Sequence, residues 1–134
     1  MLIPTKIYVK EALTLMKNCN VKGFANITGE GLLNVIRLDS KVKYIIDDAL
    51  PILPIFKKIQ NQGQIPLEEM YKDFNMGMGF LAVIEEKDFE KASKALSKEK
   101  IPFKKVGFVE KCDKPQIEMR EENIISENGK LVQY

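Results

Sequence analysis

Two short segments of this 134-residue chain carry glycines at a spacing that lets a backbone come close to another group. The first is Ile27-Thr28-Gly29-Glu30-Gly31-Leu32, lying between a β-rich run and an apolar helical pattern. Such a junction can aim several N–H groups at one point and hold an anion, for example a substrate phosphate. The second is Phe74-Asn75-Met76-Gly77-Met78-Gly79, which precedes the strongest β-rich run. Asn75 there can cap a helix or donate to a ligand. On spacing alone, both segments also suit a plain reversal of the chain. The first has neither the lysine of a P-loop nor the glycine spacing of a dinucleotide fingerprint.

Other chemistries are poorly supplied. There is no histidine, which removes Ser/His and Cys/His nucleophile systems, the usual zinc sets and the ordinary neutral-pH base. Cys19 and Cys112 are far apart, form no CxxC pair, and read as reduced thiols of a cytoplasmic protein. Net charge is +2, and Arg37 and Arg120 are the only arginines, so no nucleic-acid surface is expected. Asp47-Asp48 and Glu85-Glu86 could each attract Mg²⁺, but neighbours on a strand point to opposite faces, so they read as solvated strand ends and no metal ligands are expected. Met76 and Met78 read as packing groups. Met1 to Lys6 lacks the pattern of a secretory leader, and no apolar window reaches membrane-spanning length, so no membrane partner is expected.

The elements that would position the two glycine segments follow from periodicity. Thr5 is the expected cap of a helix in which Ile7, Val9, Ala12, Leu13 and Met16 recur, ending near Asn18–Asn20. Val21 to Ile27 reads as a strand, Leu32 to Ile36 as a short helix, and Val42 to Asp47 as a strand. Pro51 and Pro54 bracket the start of a helix with Ile55, Phe56 and Ile59 inward and Gly63 as its C-cap. Pro66 starts another as its first residue, with Met70, Tyr71 and Phe74 as its stripe. Phe80 to Ile84 is expected to be a central strand, and Phe89, Ala92, Ala95 and Leu96 line a helix. Phe103 to Glu110 reads as a strand, Ile117 to Met119 as an edge strand, and Asn128-Gly129 as a hairpin turn. The order implies an α/β (α+β) sandwich with a mixed sheet and helices, in one domain over residues 1–134.

Four segments, in order, resemble one family. Pro4-Thr5-Lys6-Ile7-Tyr8, Asn26-Ile27-Thr28-Gly29-Glu30-Gly31-Leu32-Leu33, Glu69-Met70-Tyr71-Lys72-Asp73-Phe74-Asn75-Met76-Gly77-Met78-Gly79 and Lys105-Val106-Gly107-Phe108-Val109 resemble segments of the C-terminal domain of aminoimidazole ribonucleotide synthetase, also called phosphoribosylformylglycinamidine cyclo-ligase. That domain is an α/β sandwich with partial likeness to a ferredoxin-like fold. The resemblance implies ATP-dependent ring closure of formylglycinamidine ribonucleotide to aminoimidazole ribonucleotide in purine synthesis. ATP and Mg²⁺ would be bound mainly by an N-terminal domain absent here, so this chain would be inactive alone and would itself bind neither. Its partners would be that ATP-binding half, on the same or a separate chain, and the ribonucleotide substrate; the complete enzyme would be a homodimer.

The implied substrate-facing residues are Asn26, Thr28, Gly29, Gly31, Asn75, Gly77 and Gly79, with no catalytic residue assigned. Three positions depart from the family: Asn26 replaces a histidine, Glu30 a glycine and Lys6 an arginine. Asparagine cannot carry a proton charge, and a carboxylate at Glu30 would compete with a phosphate for the same donors. These departures motivate an alternative, a stand-alone non-catalytic ligand-binding or regulatory domain of the same superfamily.

Overall fold

A computed structural model describes residues 4–134; the part of the leader reading that concerns Met1, Leu2 and Ile3 lies outside the described residues. In chain order the elements are α1 (Val9–Asn18), β1 (Val21–Asn26), a 3-10 helix (Gly31–Arg37), β2 (Val42–Ile46), α2 (Pro54–Gly63), α3 (Leu67–Asp73), β3 (Phe80–Ile84), a second 3-10 turn (Glu86–Asp88), α4 (Phe89–Lys98), β4 (Gly107–Lys111), β5 (Gln116–Met119), β6 (Ile124–Glu127) and β7 (Lys130–Gln133). The fold is α+β, as the order of patterns implies. It packs as two compact units: the first runs to Phe24 and takes in Ala82–Lys104, and the second comprises Ala25–Leu81 and Lys105–Tyr134.

In the first unit α1 packs on α4. The core is Leu15, Ala92, Leu96 and Ile101, with Cys19, Val21, Phe24 and Ile84 against it. Helix α1 starts at Val9 after Tyr8, without a side-chain cap, and not at the expected Thr5. β-Branched Thr5 and Ile7 lose side-chain freedom in a helix, which favours an extended lead-in before Val9. The helix turns Leu15 and Glu11 inward, and leaves Val9, Leu13 and Met16 on the outside.

Two carboxylates tie β1 to the turn before α4. The Asn20 N–H donates to Asp88 Oδ2 at 2.8 Å, and Asn20 Nδ2 donates to Glu85 Oε1 at 2.7 Å. Glu85 also pairs with Lys22 at 2.7 Å and Lys87 at 2.5 Å. The Lys22 and Lys87 bonds pull the Glu85 carboxyl down to about 2. The Asn20 N–H bond holds Asp88 below its ordinary value against the pull of burial, with Lys91 adding to it. Both folded values lie below the unfolded 4.5 and 3.8, so this stabilisation is present above those values and is lost as pH falls through the folded ones. We expect the melting temperature of the protein to drop as pH falls from 4.5 toward 2. The drop should be shallower in a Glu85→Gln, Asp88→Asn double variant; an equally steep fall there would count against these two groups.

The second unit holds a five-stranded sheet in the order β4-β2-β5-β6-β7. β2 and β5 run parallel and the other neighbours antiparallel. Tyr44, Ile45 and Ile46 of β2, Ile117 and Met119 of β5, Ile124 of β6 and Leu131 of β7 are buried. The 3-10 helix, with Leu32, Leu33 and Val35 buried, packs on β2 and β5, and α3 packs on β7 and on the 3-10 helix. Within α3 the buried Tyr71 hydroxyl donates to Glu122 Oε1 at 3.0 Å; burial first, then the Glu122 charge, pushes its pKa well up.

Several expected elements are corrected. Ile117 to Met119 is not an edge strand: the tail folds back as the β6–β7 hairpin and encloses it. The Asn128-Gly129 turn has both residues at positive φ, 49° and 76°, the backbone such a hairpin needs. Phe80 to Ile84 is not central in the large sheet but pairs with β1 in a two-stranded sheet, and its side chains are only half-buried or exposed. In α2 the left-handed C-cap falls on Gln64 and not on Gly63. No α2 residue is fully buried; Ile55 is exposed, while Phe56 and Ile59 are half-buried. Pro66 caps α3 and Leu67 is its first residue.

Candidate functional site

The buried Ile27, just past β1, donates its N–H to Gly79 O at 3.0 Å. That bond sets the start of the first glycine bend beside the end of the second.

In the first bend Thr28 O accepts the Gly31 N–H at 2.6 Å, and Asn34 Nδ2 donates to Gly31 O at 2.8 Å. Gly31 is buried at φ +53°, with its α-carbon against the backbone of Tyr71 and Lys72. Its N–H is therefore committed to the turn. Asn26, Thr28, Gly29 and Glu30 are exposed. Nothing lies within 4 Å of where a Gly29 side chain would begin. Among the described residues the Gly29 N–H and the Thr28 hydroxyl meet no protein partner. The Glu30 carboxylate accepts from Arg37 Nη2, and Arg37 Nη1 lies 3.4 Å from Asn34 Oδ1. Arg37 was not singled out by sequence reasoning. The signal was an opposite charge seven residues on, at the other end of the helical segment that Glu30 precedes and Arg37 closes.

In the second bend α3 stops at Asp73, and Asn75 Oδ1 accepts the Gly77 N–H at 3.0 Å, an Asx turn. Met78 N donates to Asn75 O at 2.8 Å. Gly77 sits at φ +105°, where a β-carbon would lie 2.7 Å from Pro51 O. Met76 and Met78 are wholly buried. Asn75, Gly77 and Gly79 are partly exposed.

Among the described residues no three His, Cys, Asp or Glu side chains converge as a metal set. The N–H groups of Asp47 and Asp48 both donate to Val106 O, at the end of β2, and Glu85 is held by Asn20, Lys22 and Lys87. Among the described residues no carboxylate set is thus gathered for Mg²⁺–ATP, and no step through that group is assigned to this chain. No helix among the described residues is long and apolar enough to cross a membrane.

The two bends, one following β1 and the other leading into its pairing strand β3, are joined by the Ile27–Gly79 bond and present Thr28 and Gly29 to solvent in an α+β chain. The chain belongs to the family described as "AIR synthase related protein, C-terminal domain", whose profile matches residues 1–120. It is 42% identical over 134 residues to a phosphoribosylformylglycinamidine cyclo-ligase of Methanococcus maripaludis strain C5, covering 98% of this chain and 38% of the relative. The enzyme of the same name from strain C6 is 47% identical over 110 residues, covering 82% of this chain and 32% of the relative. That of Methanocaldococcus jannaschii is 45% identical over 111 residues, covering 81% and 32%. The chain thus spans well under half the length of the relatives it matches.

Proposed function

We propose that this chain, as one domain over residues 1–134, is the C-terminal, substrate-facing part of a phosphoribosylformylglycinamidine cyclo-ligase. The reaction is ATP-dependent closure of formylglycinamidine ribonucleotide to aminoimidazole ribonucleotide in purine synthesis. The observation that carries the reading is the Ile27–Gly79 hydrogen bond, which gathers both glycine bends into one rim. Asn26, Thr28, Gly29, Gly31, Asn75, Gly77 and Gly79 form the wall facing the ribonucleotide. Within it the Gly29 N–H and Thr28 hydroxyl are the donors for a phosphate or amide oxygen, while Gly31 and Gly77 shape the bends. ATP and Mg²⁺ are held on the ATP-binding portion, so the chain is inactive alone. The complete enzyme works in the cytoplasm as a homodimer. Exposed Asn26 and Glu30 favour a second reading, a non-catalytic ligand-binding or regulatory domain of the same superfamily.

Turnover of formylglycinamidine ribonucleotide decides between them. The chain alone should give none; co-expressed with the ATP-binding portion of the strain C5 relative it should give aminoimidazole ribonucleotide. Turnover by the chain alone would overturn the division of labour, and none from the pair would favour the second reading. Gly29→Ala has open space around it, so its stability should stay within about 0.5 kcal/mol of the unmodified chain while ligand binding weakens. Glu30→Gly should bind phosphate-bearing ligands more tightly, because it removes a competing carboxylate and releases Arg37. Calorimetry on both variants reads these changes; unchanged affinity in both would remove the first bend from the site.

A further inference from the structure

We propose that the outward stripe of α1, formed by Val9, Leu13 and Met16 and extended by Ile7, seats the ATP-binding portion of the cyclo-ligase through an apolar groove of that portion edged with carboxylates. The inference rests on the functional reading above and names the surface through which the two portions meet.

The three helical residues are spaced i, i+4 and i+7, so they lie on one face. They are 60%, 49% and 62% exposed, and Ile7 is 79% exposed. An amphipathic helix ordinarily turns such a stripe toward a core. Here Leu15 and Glu11 take the inward positions, Glu11 held by Lys6 at 2.6 Å, and the stripe is left uncovered. A continuous exposed apolar strip of this kind marks an interaction surface.

Two observations say what covers it. The strain C5 relative covers 98% of this chain yet has only 38% of its own length accounted for, so it carries a larger portion besides the part matched here. The border of the stripe is cationic: the groove between α1 and α4 is lined by Lys10, Lys17 and Lys98, and its one carboxylate, Glu99, already takes Lys10 at 3.1 Å. Two copies of this chain placed stripe to stripe would oppose like charges, which disfavours self-association. An apolar groove with an acidic edge complements both features, in the manner of a helix laid into a groove.

The test places a photo-crosslinking amino acid at Leu13 or Met16 of the full chain in its native cell, with Lys114, an exposed residue of the second unit, as control. Crosslinked products are identified by mass spectrometry. The expected product from positions 13 and 16 is a peptide of the cyclo-ligase ATP-binding portion, on the same or a separate polypeptide. Leu13→Glu with Met16→Glu should cut the crosslink to that portion from a photo-crosslinking residue at Val9 by at least about tenfold while leaving the melting temperature unchanged, since both side chains already face solvent. Crosslinks to a second copy of this chain, to lipid or to an unrelated protein would overturn the proposal. Crosslinks to the ATP-binding portion from Lys114 but not from α1, or a crosslink from position 9 indifferent to the double substitution, would overturn it while leaving the functional reading intact. No ATP-binding portion from any position would overturn both.

Discussion

Gly31→Ala is expected to leave the chain unable to form its native second unit. A β-carbon at Gly31 would lie 2.0 Å from Tyr71 O, 2.4 Å from Lys72 O and 2.6 Å from Lys72 C. All three are backbone atoms of α3, so no side chain can swing aside. The helix cannot give way easily either: Met70 and Tyr71 are fully buried, and the Tyr71 hydroxyl is tied to Glu122. The 3-10 helix is equally fixed, because Leu32, Leu33 and Val35 behind Gly31 are buried. The φ of +53° adds roughly 1 kcal/mol for any residue with a β-carbon. Relief requires separating the 3-10 helix from α3, so the loss should be about 4 kcal/mol or more, enough to unfold a marginally stable domain. Urea denaturation followed by circular dichroism checks this, with Gly29→Ala as the neighbouring substitution that meets no atoms. A Gly31→Ala chain within about 1 kcal/mol of the unmodified protein would refute the packing argument.

Gly107→Ala should release β4 from the sheet without unfolding the rest. Gly107 stands opposite Ile46 in the β2–β4 register. A β-carbon there would lie 1.8 Å from Ile45 O, 2.8 Å from Ile45 C and 3.0 Å from Ile46 Cα. The approach is this close because Val106 O accepts both the Asp47 and Asp48 N–H groups, which draws the strand ends together. The effect differs from that at Gly31 because β4 is an edge strand and Phe108 and Val109 are exposed. The strand can therefore detach at the cost of its own ladder, about 2 to 4 kcal/mol. Amide exchange should lose protection along Gly107–Lys111 and keep it through β5, β6 and β7. Retained protection in β4 would show that the sheet absorbs the methyl group.

The fold was legible where the governing interactions are local. The Asn128-Gly129 turn was visible because two positive φ values in succession suit few residue pairs. The strand at Val42 and the helices after Pro54 and Pro66 follow from β-branched runs and from proline at a helix start. Strand placement was not legible. β5 pairs in parallel with β2 across about seventy residues of chain, and nothing in Gln116-Ile117-Glu118-Met119 specifies that neighbour. The apolar run of Phe80 to Ile84 suggests burial on both faces, yet among the described residues its only strand partner is β1. In α1 periodicity locates the apolar stripe of Val9, Leu13 and Met16 but not whether this chain buries it, and the structure leaves it exposed.

For the candidate site, the amino-acid sequence determined which residue types stand at the two bends, and through them the family. Glycine, asparagine and threonine at those positions are a backbone requirement written one residue at a time. Tertiary structure alone decided what each glycine is for. Gly31 serves α3, Gly77 serves the turn beside Pro51, and Gly29 has no neighbour. The physical reason is that a glycine's necessity depends on which atoms approach its α-carbon. Those atoms belong to Tyr71, Lys72 and Pro51, which the chain brings there only by folding.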